Sequence, residues 1–244
     1  MRLPFDEYDV RARAFPALLV SLPALALLYA ALPSARNKWG AGAGTVLESA
    51  VLFFLARIAR DRGAKLQPSL YELWGGPPTT RILRHRDSTL DPLTKARYKA
   101  SLAKATGMEF PTPEVEQLSP DQADQVYGSA IRALLEQRRD KKHRLIFLEN
   151  CNYGFARNLL GIKSLGMSLA TVSVLADIWL YLTKGLSPAL LIAAMTSLAV
   201  LLLLPLFVNR GFVERSANAY AEALLRSCEP GTPRAPAKPR KPGA

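Results

Sequence analysis

The sequence predicts a mainly α protein of the polytopic membrane class. It should have four transmembrane helices in two hairpins and a helical cytoplasmic segment between the hairpins. Three observations predict this. Charged residues are absent, or nearly absent, from four long stretches and crowded elsewhere. Lys and Arg gather on one side of those stretches. The segment between the second and third stretches carries helix start and stop signals. Of the 244 residues 49% are apolar, and the formal net charge is +12. That apolar share is only slightly above the soluble average, so segregation rather than amount excludes a single soluble core.

The first stretch, 14–33, is rich in Ala and Leu. Its nearest flanking charges, Arg13 and Arg36, leave 22 uncharged residues between them. That is roughly 30 Å of helix, enough to cross a bilayer. Asp6, Glu7 and Asp9 precede it and "ALPSARN" follows it. Neither suits a cleaved signal peptide, which needs a basic start and small residues at the cut. The second stretch, 39–56, is short, glycine-rich and interrupted by Glu48. The third, 164–183, contains Asp177, and the fourth, 185–208, contains "AVLLLLPLFV".

Orientation follows from basic residues near the membrane ends. One side receives Arg2, Arg11, Arg13, Arg57, Arg60, Arg62, Lys65, Arg144, Arg157, Lys163, Arg210, Arg215 and Arg226. The other receives Arg36, Lys38 and Lys184. Residues 1–13, the segment 57–163 and the tail 209–244 are therefore expected in the cytoplasm, at a bacterial inner membrane. Two tight turns, "SARNK" and the one around Lys184, should face outward.

The central segment holds 19 Lys and Arg against 12 Asp and Glu. "DPLTKARYKASLAKA" reads as a helix with Asp91 as N-cap, Pro92 at the first helical position and Gly107 as the stop. "SPDQADQVYGSAIRALLEQRRDKKH" starts at Ser119, with Pro120 next and Gln122 completing a capping box. Val126, Tyr127, Ala130, Ile131, Leu134 and Leu135 recur on one face. "FPTPEVEQL" reads as an extended linker. "RLIFL" has no partner strand and reads as helix leading into the third span. From about residue 229 the tail is Pro-rich, basic and expected to be disordered. Its charge could hold it near anionic lipid.

Tempting motifs fail on context. "GAGAG", 40–44, lacks the third glycine of a dinucleotide loop and no strand precedes it. Gly40 and Gly44 instead make a small-xxx-small face for helix packing. "HRD", 85–87, lacks the kinase Asn, because Pro92 occupies its position. Two His and two Cys make a metal site of those residues improbable. Cys151 and Cys228 both fall on the cytoplasmic side, where no disulfide is expected. No cofactor and no sequence-specific nucleic-acid binding is expected.

Three constellations remain. In "YELWGGPPTTRILRHRD", Gly75 and Gly76 permit unusual backbone angles and Pro77 and Pro78 stiffen the chain. Thr79 or Thr80 could cap a short helix on which Arg81, Arg84 and His85 share a face. With Trp74 they could hold a phosphate, or form a solvated basic face with Trp74 as interfacial anchor. In "ENCNYGFARNLLGIK", Glu149, Asn150, Asn152, Tyr153, Arg157 and Asn158 are dense in hydrogen-bonding groups, while Gly154 and Gly161 allow close approach. They could bind a partner or ligand, or fix cytoplasmic helices to the bundle. Glu48 and Asp177 are intramembrane acids that either line a polar path or sit neutral and hydrogen-bonded.

Three functional classes fit. The favoured one is a non-enzymatic membrane anchor or effector, homo-oligomeric, touching anionic headgroups and receiving a cytoplasmic protein partner or ligand. The second is a membrane-bound enzyme acting on a phosphorylated lipid or nucleotide, with His85, Asp87 or Glu149 as acid or base. The third is a small channel or transporter using Glu48 and Asp177.

Overall fold

The computed structural model describes residues 6–32, 41–138 and 143–228, with the backbone alone for 41–48. Expectations about Gly40, the "SARNK" turn and the tail beyond 228 lie outside the described residues, as does the side chain of Glu48. No strand occurs among the described residues, so the mainly α class holds. The helices are α1 (Glu7–Ala31), α2 (Ala41–Leu73), α3 (Pro78–Arg81), α4 (Pro92–Thr106), α5 (Pro113–Leu118), α6 (Pro120–Gln137), α7 (Arg144–Gly161), α8 (Lys163–Lys184), α9 (Pro188–Phe207) and α10 (Arg210–Arg226).

Three of them, α1, α8 and α9, are long and apolar enough to cross a membrane. The second expected span, 39–56, falls in the first half of α2, a single helix of 33 residues that runs on through a charged stretch to Leu73. Helix α1 starts earlier than the apolar run because its charged first turns are also helical. Asp6 caps it by accepting from the Asp9 N–H at 2.8 Å. Glu7 pairs with Arg11 at 3.1 Å and Asp9 pairs with Arg13, both one turn apart. A π-turn, Val10–Ala14, joins this start to the apolar body.

The described residues fall into two compact units, one drawn from Met1–Trp74 and Leu148–Ala217, the other from Gly75–Phe147 and Asn218–Ala244. In the first, α1, α8 and α9 pack on one another. They converge at Gly166, where a Cβ would lie 2.8 Å from Val20 and 3.0 Å from Leu204. A small residue there lets three helices approach closely. Away from that seam the surface is apolar, with Leu175, Leu182, Ile192, Met195 and Leu206 all exposed. Water does not favour such a surface; lipid chains do.

The second unit closes around Ile82, Leu83, Tyr98, Leu102, Tyr127, Leu134 and Leu224. Helix α4 begins where Asp91 accepts from the Thr94 N–H at 2.9 Å and ends at Gly107, whose φ is +70°. Two local expectations are corrected. "FPTPEVEQL" is not a linker throughout, since α5 starts within it, capped by Thr112 with Pro113 at its first position. Ser119 does precede α6, but its side chain makes no capping bond, so the capping box does not form. "RLIFL" is helical, as the first turns of α7.

Candidate functional site

The basic loop comes first, in the second unit. Gly75 and Gly76 have φ of +73° and +130°, left-handed values that disfavour any side chain. A Cβ on Gly76 would lie 2.7 Å from the Arg84 guanidinium, so this glycine also makes room for Arg84. Pro77, not a threonine, is the residue before α3. Thr79 and Thr80 lie inside that single turn, Thr80 buried. Every cation of the loop has a partner in the unit. Buried Arg84 grips Asp124 with two parallel bonds of 2.8 and 2.5 Å, the strong fork geometry. Arg81 donates to the Asn218 Oδ1 at 3.1 Å and lies 3.5 Å from Asp87. The His85 Nε2 is 3.0 Å from the Pro111 carbonyl. A phosphate arriving at Arg84 has to compete with Asp124. Trp74 belongs to the first unit and packs against Tyr71 with ring centroids 6.1 Å apart.

The chemistry around this loop is organised by Glu116, a residue the sequence pattern did not single out. It is 2% exposed. Its carboxylate accepts from the His85 N–H at 2.9 Å, the Tyr127 hydroxyl at 2.7 Å, and the Arg86 N–H and guanidinium at 3.4 Å each. Burial pushes the Glu116 carboxyl up, but these donors outweigh it and hold the group below the usual carboxylate range. Tyr127 then accepts from the Lys99 Nζ at 3.0 Å. Burial, followed by the bond to Glu116, raises the Tyr127 phenol well above its ordinary value.

Lys95, Tyr98, Lys99 and Leu102 form the buried face of α4. Two lysines in that stripe are the sequence signal for this site, because lysine is rarely buried without a role. Lys95 closes the preceding turn by donating to the carbonyls of Arg84, at 2.8 Å, and Asp87. Lys99 is different. Burial lowers its pKa to about 8; Glu116 opposes that shift and Lys95 adds to it. Lys99 forms part of the wall of a cavity of about 750 Å³, together with His85, Asp87, Leu90 and Phe110.

In the first unit most of the polar residues of "ENCNYGFARNLLGIK" bond within the fold. The Asn158 Nδ2 donates to the Ala12 carbonyl at 2.7 Å. Pro16, four residues further along α1, has no N–H to offer that carbonyl. A Cβ on Gly63 would collide with Asn158 Oδ1, and one on Gly161 would lie 2.6 Å from the Gly63 nitrogen. Helices α2 and α7 therefore cross glycine to glycine. Gly154 does the same against α1, where a Cβ would lie 2.8 Å from Ala12 and Tyr8.

Arg157 donates to the Gln67 Oε1 at 2.5 Å and stacks over Tyr153, whose hydroxyl is 3.4 Å from that of Tyr71. Burial, then Tyr71, pushes the Tyr153 phenol up. Glu149 accepts from Asn152 at 3.2 Å, and Asn150 is half-buried on the same helix. Lys163 donates to the Val208 carbonyl at 2.8 Å, a cation on the end of α9.

Asp177 sits inside the three-helix bundle, 3% exposed, one turn from buried Ser173. Its Oδ2 accepts from the Ser197 hydroxyl at 3.0 Å, while Oδ1 has no partner among the described residues. It borders a cavity of about 270 Å³ with Val174, Ile178, Leu190 and Leu191. Neither Cys151, which is buried, nor Cys228 is in a disulfide. No cluster of His, Cys, Asp and Glu among the described residues could hold a metal ion.

Compared with protein-family models, with curated proteins and with solved structures, the chain matches none.

Proposed function

We propose that the chain is a non-enzymatic membrane anchor that crosses the bilayer four times. Both termini and residues 57–163 lie in the cytoplasm of a bacterial cell, and the second unit receives a partner or ligand. One observation carries this reading. A belt of polar bonds, Asn158 to Ala12, Arg157 to Gln67 and Lys163 to Val208, meets one end of three apolar helices. Such a belt belongs at the headgroup level, where backbone groups freed at helix ends need polar partners.

Parity supports the fourth crossing. The Asn158 bond holds the start of α1 at the level of the end of α7. The chain leaves that level along α1, and at Gly63 it packs against Gly161 at the same level. The first half of α2 is the segment that can make the return. Val51, Phe53 and Phe54, exposed on it, suit lipid contact. The basic run Arg57, Arg60, Arg62 and Lys65 then falls inside, with anionic headgroups within reach. Homo-oligomerisation through the apolar faces is part of the same proposal.

Single cysteines introduced as Leu186→Cys and Asp121→Cys, in a chain whose own two cysteines are replaced by Ser, test the topology. A membrane-impermeant maleimide should label position 186 on intact cells and position 121 only after lysis. Labelling of position 121 from outside, or release of the chain by alkaline carbonate, would overturn the reading. Purification from native membrane should bring down a specific cytoplasmic partner; recovery of chaperones alone would count against the anchoring role. The second reading, a membrane-bound enzyme, is favoured by Lys99 at the wall of the larger cavity.

A further inference from the structure

We propose that Lys99 is a covalent acceptor for a small ligand bearing an aldehyde or ketone, which enters the 750 Å³ cavity and is captured by the Lys99 amine as an imine. The proposal goes beyond the anchoring role, and a topology result that removed the fourth crossing would leave it standing.

The two buried lysines of α4 differ in a way that structure alone does not require. The Lys95 ammonium is held by two backbone carbonyls, those of Arg84 and Asp87. Lys99 is 9% exposed and has one hydrogen-bond acceptor among the described residues, the Tyr127 oxygen at 3.0 Å. An ammonium carries three N–H donors. A single acceptor suits a neutral amine, which keeps a lone pair for attack.

The charges around Lys99 favour that neutral form. Lys95, one turn earlier on α4, is a like charge. Among the described residues, Glu116, from α5, is the opposite charge acting on it, and its carboxylate is already shared among His85, Arg86 and Tyr127. Tyr127, from α6, gives its proton to Glu116 and offers Lys99 an acceptor rather than a counter-ion. Desolvation beside another cation is a known way to make a lysine nucleophilic. With a pKa of about 8, a useful fraction of Lys99 is the free amine at neutral pH. An ordinary lysine, near 10.4, is neutral in roughly one molecule in a thousand at pH 7.5.

The cavity supplies the rest. Its volume falls within the range of small-molecule sites, and its wall mixes apolar Leu90 and Phe110 with polar Asp87 and His85. In the step itself, the amine lone pair forms a bond to the carbonyl carbon and one amine proton passes to the carbonyl oxygen. The resulting carbinolamine expels water and a C=N bond remains. Nothing is oxidised or reduced. In the protonated imine the nitrogen still has one N–H, which can keep Tyr127 as its acceptor.

The test treats the full chain in detergent with substoichiometric salicylaldehyde and cyanoborohydride, then maps the reduced adducts by peptide mass spectrometry. Lys104, exposed on the same helix, is the internal comparison. Lys99 should react at least about tenfold faster than Lys104 at pH 7.5, given the neutral fractions above. Its rate should rise with pH to a midpoint near 8. Lys99→Arg should lose that adduct, retain the one at Lys104 and keep the helical circular dichroism of the parent chain. Equal labelling of the two lysines, or a Lys99 midpoint above about 10, the ordinary range for lysine, would overturn the proposal.

Discussion

Asn158 and Glu116 are buried to the same degree, at 1% and 2% exposure, and each ties together its own unit by opposite means. Asn158 makes one bond, to the Ala12 carbonyl, and its Oδ1 has no partner among the described residues. Shape holds it: Gly63 leaves space for no more than a hydrogen, and Gly161 brings the helix backbones together. Glu116 makes four bonds and is held by charge, its donors arriving from two other segments. The difference follows from surroundings. Around Asn158 the helix backbones nearly touch, so small residues and a backbone carbonyl set the geometry. In the second unit enough Arg and Tyr surround the acid for an ionised group to be the organiser.

The comparison is broken most strongly at Glu116. Glu116→Ala leaves the Tyr127 hydroxyl and two backbone N–H groups without an acceptor and should cost about 3–5 kcal/mol of stability in the second unit. Urea unfolding of the purified chain in detergent, followed by Trp and Tyr fluorescence, measures it. Glu116→Gln keeps the shape and should cost less; equal losses would mean that volume, not charge, organises this unit.

Gly63→Ala attacks the other mechanism. The new methyl meets Asn158, which cannot retreat without releasing Ala12. Overpacking of this kind costs about 1–3 kcal/mol, read as an earlier loss of helix on heating in detergent. Gly107→Ala is the control from the second unit, where a Cβ would meet nothing. Its cost comes from the left-handed φ alone and should be smaller. A harmless Gly63→Ala would show that the α2–α7 crossing is loose.

Helix caps lie lower on the scale. Asp91→Ala removes the side-chain bond to the Thr94 N–H and should lower stability by less than Gly63→Ala does, by the same unfolding measurement. The Asp91 carboxyl is held below its usual range, first by the Thr94 backbone bond. Its contribution is therefore present above the unfolded pKa and fades as pH falls through the folded one. Lys99 has the opposite dependence. Its folded pKa, about 8, lies below the unfolded value. The folded state releases the proton first, so stability rises between pH 8 and the ordinary lysine range near 10. In Lys99→Met that rise should vanish while the Asp91 effect at acid pH remains.

These cases also show how much could be read from the residues. Asp91, Pro92 and Gly107 mark their helix locally, and α4 begins and ends where they stand. The apolar runs around α1, α8 and α9 announce themselves by length. Glu116 does not, because its four donors sit at 85, 86 and 127, and no local pattern joins them. A usable cue was present nonetheless: Thr112 and Pro113 are the same N-cap and first-position pair that marked α4. Gly63 is silent for a similar reason, since its partner Gly161 is distant in sequence. The cation-rich stretch 81–86 was legible as charge, but its pairing with Asp124, Glu116 and Asn218 depends on the packed unit.

The smallest effect expected is a coupling, and it is the sharpest probe of how shape holds Asn158. Pro16 withholds the N–H that an α-helical register would bring to the Ala12 carbonyl. Pro16→Ala supplies that N–H from within α1, so the same carbonyl gains a second donor. Asn158→Ala alone should cost about 1–3 kcal/mol, the price of a buried unsatisfied carbonyl plus a lost contact. In the Pro16→Ala background it should cost less, with a coupling energy on the order of 0.5–1 kcal/mol in a double-mutant cycle. Zero coupling would mean that the Asn158 side chain fills space between α1, α2 and α7 and that its hydrogen bond is incidental. A coupling larger than the single-mutant cost would place proline and amide in a wider network, in which the ring of Pro16, rather than the missing donor, shapes the pocket that Asn158 occupies.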